Sequence, residues 1–261
     1  MPARRPANPA PKLSPLKLIA PWLDTLAIAA WGLLFFKLWF TQELFLLIHP
    51  NYMWLTIVAG VILLIFAGFE GVRVAKRRRY FSTASHTTIL LPSLGSSLLL
   101  VVAILGLLIS PRAFASDMAL QRGVNETLRD TRSNPESFRA NRKPEDRTLI
   151  EWVRTLNVYP EPDAYNGQAA DVIGFVVHPE SMPANYFVVT RFVITCCAAD
   201  AYPVGLPVRV ESTVDRANFK PDQWVQVEGQ MITEELEGQR QLVIASNKIT
   251  PVDRPKKPYD Y

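Results

Sequence analysis

Cysteine is nearly absent from these 261 residues: there are two, and they are adjacent, Cys196 and Cys197. One vicinal pair excludes both a disulfide-stapled scaffold and a four-cysteine zinc site. The chain also lacks a glycine-rich nucleotide loop, a Ser-His-Asp arrangement and a paired-carboxylate motif, so catalysis is not expected. Charge is missing locally as well. Residues 82–111 hold no Asp, Glu, Lys or Arg, and neither do residues 52–69.

The charges that are present divide the chain. Residues 1–110 hold ten of the 28 Lys and Arg and three of the 24 Asp and Glu, a net of +7, which leaves 18 and 21, a net of −3, for the rest. The basic balance therefore belongs to the apolar half and is not a nucleic-acid signal for the other half.

A helix needs about 20 apolar residues to cross a bilayer. Three segments, about 18–40, 52–69 and 88–110, are read as transmembrane helices of a membrane domain covering 1–110. Asp24 and Lys37 lie inside the first, near its ends, where a long cation reaches the interface. Ala27-Ile28-Ala29 resembles a signal-peptidase site, but Pro21 and Asp24 interrupt the apolar region before it, which favours an uncleaved helix. The N-terminal tail (Arg4, Arg5, Lys12, Lys17) and the second loop (Arg73, Lys76, Arg77, Arg78, Arg79) are basic, whereas residues 41–51 carry only Glu43. The positive-inside rule then expects a multi-pass cell-membrane protein with a cytoplasmic N-terminus and an extracytoplasmic C-terminal domain. The basic run beside a span suits anionic membrane lipid.

Residues 111–167 read as a tether with one short amphipathic helix, expected over 145–157, whose apolar face is Leu149, Trp152, Val153 and Leu156. From Ala169 the period becomes two. Strands are expected at 172–177, 186–195, 208–212, 224–232 and 241–249, separated by turn signals that include Gly205-Leu206-Pro207 and Glu237-Gly238. Gly174 and Gly229 inside strands suggest bulges. The expected fold is thus three N-terminal transmembrane helices followed by an α+β soluble region, ending in a small five-stranded OB-like β-barrel over 168–252 and a tail, 253–261. Residues 169–252 hold six bases and ten acids. That sign opposes a phosphate backbone, so no nucleic-acid partner is expected.

One segment carries chemistry: Arg191-Phe192-Val193-Ile194-Thr195-Cys196-Cys197-Ala198-Ala199-Asp200. Strand alternation sets Cys196 with Phe192 and Ile194 on the core face. Cys197 then lies with Thr195 and Arg191, whose guanidinium would favour a thiolate. Three readings stay open. Both cysteines are small core residues with Asp200 capping a turn; or Cys196, Cys197 and Asp200 hold a divalent metal such as zinc, needing a further ligand such as His178; or the pair cycles as a redox dithiol.

The same segment, with Trp224-Val225-Gln226-Val227-Glu228-Gly229, the 148–160 helix and the closing Pro255-Lys256-Lys257-Pro258-Tyr259-Asp260-Tyr261, resembles the YcgQ-like family of permease-associated membrane proteins. The resemblance covers most of the chain. It implies an accessory subunit of a two-component permease, partnered by a multi-spanning permease and concerned with a metal or metalloid. The alternative is a membrane-tethered thiol redox protein.

Overall fold

The computed structural model describes residues 15–76, 92–124, 143–211 and 216–261. The second basic loop beyond Lys76, including Arg77, Arg78 and Arg79, and most of the tether lie outside them. The chain forms two compact units. One is residues 1–44 with 51–111; the other is 45–50 with 112–261.

The first unit holds α1 (Pro15–Phe40), α2 (Met53–Lys76) and α3 (Pro92–Leu108). Their outward faces are apolar, with Leu26, Leu33, Ile62, Phe69 and Leu98 all exposed, the pattern of helices that do not end in water. α1 meets α2 closely: a Cβ on Gly32 would stand 2.8 Å from Leu64, the small-residue contact favoured between membrane helices. Asp24 and Lys37 of α1 both have partners. The Ser96 hydroxyl donates to Asp24, while Lys37 Nζ lies 2.8 Å from Glu43 Oε2 and 3.3 Å from Ser110 Oγ.

Among the described residues two helical stretches, not three, are long and apolar enough to cross a membrane: Trp22–Phe40 and Pro50–Lys76. The expected third span over 88–110 is corrected to a 17-residue helix. At 1.5 Å per residue it reaches about 25 Å, short of a hydrocarbon core of about 30 Å. Its first described residue is Pro92, and beyond its end Pro111 disfavours helical backbone at the residue before it.

In the second unit α4 (Ser116–Arg122) precedes α5 (Leu149–Val158). α5 begins at 149 rather than 145 because Thr148 caps it. Thr148 Oγ1 accepts from Glu151 N, and Glu151 Oε2 accepts from Thr148 N at 2.8 Å. Leu149, Ile150, Trp152 and Val153 are buried against the strands.

The strands are β1 (Ala169–Val177), β2 (Tyr186–Val193), β3 (Tyr202–Arg209), β4 (Trp224–Leu236), β5 (Gln239–Pro251) and β6 (Tyr259–Asp260). They form a six-stranded mixed sheet in the order β1-β4-β5-β3-β2-β6, and β1 also pairs with β2 through Phe175 to Val177. The pairs β3–β5 and β2–β6 are parallel; the rest are antiparallel. This mixed sheet replaces the expected five-stranded OB-like barrel, within an α+β unit. The sixth strand comes from what was read as a tail: Tyr259 is buried, and Ile194 N donates to Asp260 O at 3.0 Å.

Apolar side chains cover both faces of β2. Phe187, Val189 and Val193 belong to the core under α5; Val188 and Phe192 pack with Phe175, Val177, Ile194 and Tyr259 on the other side. The register shifts between Glu228 and Gly229, where a Cβ would fall 2.2 Å from Ala245 O. At Gly174 the register is regular; the glycine instead admits the β2 backbone, with Thr190 O at 2.7 Å from a built Cβ.

Candidate metal centre

β2 stops at Val193, so the alternation that placed Cys196 in the core ends three residues too early. Beyond Ile194 the chain bends into a loop organised by one carboxylate. Asp200 Oδ2 accepts from the Thr195 hydroxyl and from Cys196 N (2.8 Å), and Oδ1 accepts from Cys197 N (3.2 Å). Asp200 N donates to Cys197 O at 3.1 Å, closing a short turn. The result reverses the expected burial: Cys196 is exposed and Cys197 half-buried. The two sulfurs lie 3.7 Å apart. With an Asp200 oxygen they form a Cys-Cys-Asp group whose ligand atoms are all within 4.8 Å of one another and could hold a metal ion.

A second segment borders this loop. Residues 47–49, from the stretch joining α1 to α2, run antiparallel to 196–198. His49 N donates to Cys196 O at 3.0 Å, Ala198 N donates to Leu47 O at 2.8 Å, and Ile48 pairs with Cys197. Sequence reading missed this contact. The segment sits between two long apolar helices, too short for any periodicity, and its partner is far along the chain.

Arg191 does not serve the thiols. Its Nη1 lies 3.4 Å from Asp260 Oδ1, its Nη2 donates to Lys257 O at 3.1 Å, and its guanidinium faces the Trp224 ring at 5.8 Å. The C-terminal strand, invisible as a strand in the sequence, takes the charge that parity had assigned to Cys197. His178 is not part of the Cys-Cys-Asp group either. Its surroundings are Arg216 and the Phe219 backbone, and burial followed by the Arg216 charge holds its pKa below 6.5.

The electrostatics of the group follow from Asp200. Its hydrogen bond with the Cys196 thiol is the largest cause pushing that thiol up to about 11, followed by the bond with Cys197. Burial pushes the Asp200 carboxyl up, but the donors from Thr195, Cys196 and Cys197 outweigh it and hold the group below its ordinary value. An ionised carboxylate beside two sulfurs attracts a cation and opposes a free thiolate.

No curated protein and no solved structure matches the chain significantly. Two family models do: the DUF1980 N-terminal domain over residues 23–125 and the DUF1980 C-terminal domain over residues 141–261. Most of α1, with α2 and α3, falls in the first, and the six strands with the Cys-Cys-Asp group in the second. The chain carries both the N-terminal and the C-terminal domain of the DUF1980 family.

Proposed function

We propose that this chain is a membrane-anchored accessory subunit that holds a zinc-like divalent cation at Cys196, Cys197 and Asp200, beside a multi-spanning permease. Its role is binding rather than catalysis. The observation that carries the metal reading is the sulfur separation of 3.7 Å. Two thiolates bound tetrahedrally at about 2.3 Å from zinc stand about 3.8 Å apart, so the pair is already spaced for one ion. Binding displaces both thiol protons to solvent, which the nearby cation drives even though the free Cys196 thiol resists ionisation.

Residues 45–50, which follow α1, belong to the same compact unit as 112–261, so the linker after α1 and the strands lie on one side of the membrane in which the apolar helices anchor. The permease partner is supported by the sequence resemblance and by the exposed apolar faces of α2 and α3, which suit lipid and other membrane helices alike.

The same close sulfurs favour a second reading, a tethered dithiol. There the two thiols would give two protons and two electrons to a disulfide-class acceptor and join. Asp200 works against that chemistry by suppressing the thiolate at Cys196.

The test is affinity purification of the full chain from native membranes, with elemental analysis and identification of co-purifying proteins. The expected result is near-stoichiometric metal, lost in a Cys196→Ser, Cys197→Ser chain, together with a multi-spanning protein. A metal-free chain in which the cysteines cycle reversibly to a disulfide would overturn the metal reading in favour of the redox one.

A further inference from the structure

Two sulfurs and a carboxylate leave a divalent cation one ligand short of a closed tetrahedral site, and zinc sites complete such sets with imidazole. The expected donor, His178, lies elsewhere. The strand pairing supplies another. In the bridge between 47–49 and 196–198, hydrogen bonds run from His49 N to Cys196 O and from Ala198 N to Leu47 O, flanking Ile48 and Cys197. This is the pattern of an antiparallel pair in which Ile48 and Cys197 are opposed without hydrogen bonds of their own. His49 is then opposed to Cys196, on the same face as it.

Directly opposed residues in an antiparallel pair hold their Cβ atoms about 5 Å apart. A metal bridging thiolate and imidazole needs about 2.3 Å to sulfur and about 2.0 Å to nitrogen, beyond the reach of the side chains themselves. An imidazole on the residue facing Cys196 therefore meets a cation held by its sulfur. The His49 ring is half-buried and stands edge-on to Tyr261, centroids 5.5 Å apart. Tyr261 is in turn fixed by its hydroxyl, which donates to Phe45 O at 2.9 Å. The His49 imidazole does not belong to the Cys-Cys-Asp group in this structure and rests against Tyr261, so joining the sulfurs requires its side chain to turn.

We propose that His49 is the nitrogen ligand of the Cys196–Cys197 site, giving with Asp200 a set of two sulfurs, one nitrogen and one oxygen. The proposal rests on the metal reading above and deepens it. It gives residues 47–49 a purpose: cation occupancy locks that segment onto the loop that follows β2.

The experiment uses the reduced full chain in detergent, titrated with cobalt(II) as the probe. Near-ultraviolet thiolate-to-cobalt charge transfer reports the sulfurs, and intense visible ligand-field bands report tetrahedral geometry. The wild type is expected to show both. His49→Ala should keep the charge transfer, lose the tetrahedral bands and bind cobalt about tenfold or more weakly, since a ligand is missing from the set. His49→Cys should restore the tetrahedral bands with stronger charge transfer, which a merely structural histidine would not produce. His49→Ala with the wild-type spectrum and affinity would overturn the proposal while leaving the cysteine site standing. A wild type without thiolate charge transfer would overturn the metal reading itself.

Discussion

Arg191 and Asp260 form an ion pair, 3.4 Å between Nη1 and Oδ1, that ties β2 to the C-terminal strand β6. Both side chains are largely buried. Burial raises the Asp260 pKa, and Arg191 opposes the rise. Arg191→Met leaves that carboxyl without its counter-ion and removes the donor to Lys257 O. Breaking one side of such a pair is expected to lower stability by about 3 kcal/mol. Denaturant unfolding measures the loss, and limited proteolysis should show the residues after Pro255 released first. An unchanged cleavage pattern would mean that the ion pair does not hold β6.

Core polarity in β4 gives a second expectation. Val227 is fully buried, whereas its neighbour Gln226 donates to Asp171 Oδ1 at 2.7 Å on an exposed face. Val227→Asp should destabilise the unit by about 3 kcal/mol or more through an unpaired buried charge, while Gln226→Lys, which faces Asp171, should stay within about 0.5 kcal/mol. Equal effects would put the strand's two faces the wrong way round.

Much of this was legible beforehand, for identifiable reasons. Glu237-Gly238 reads as a turn, and in the structure both residues have positive φ between Leu236 and its partner Gln239, the two-residue hairpin that demands such a pair. The apolar spacing of Leu149, Trp152 and Val153 is a local signal and marks α5. Gly205-Leu206-Pro207 misled: it lies inside β3 because Gly205 lets that strand close on β2, its built Cβ falling 2.6 Å from Val188. Proline and glycine tell of backbone demands, and a close strand approach makes the same demand as a turn. The site was half legible. The composition of the Cys-Cys-Asp segment drew attention, but the burial of each cysteine depended on where β2 stops, and that is set by pairing with β6 and by the Asp200 loop. His49 and Asp260 reach the end of β2 only through tertiary pairing, which carries no local pattern.

His178 sets a pH dependence. Burial, then Arg216, hold its pKa below 6.5, with a bond to the Phe219 backbone opposing. As pH falls through 6.5 the unfolded chain takes up this proton before the folded one does. The folded state then binds fewer protons, and stability drops with falling pH. The contribution is complete above 6.5 and lost below it. Unfolding midpoints measured from about pH 8 down to about pH 5 should therefore decline, and His178→Asn should flatten that part of the profile. A variant with the full slope would assign it to another group.

The most direct measurement of the central claim is thiol protection in the intact chain. The reduced protein, stripped by a chelator and then supplied with or denied zinc, is alkylated under native conditions and its labels assigned by mass spectrometry. Without metal, exposed Cys196 and half-buried Cys197 should both be labelled, slowly because Asp200 restrains the thiolate at Cys196. With one equivalent of zinc, both should be protected together, and the chelator should restore labelling. Labelling that zinc leaves unchanged at both cysteines would contradict the account.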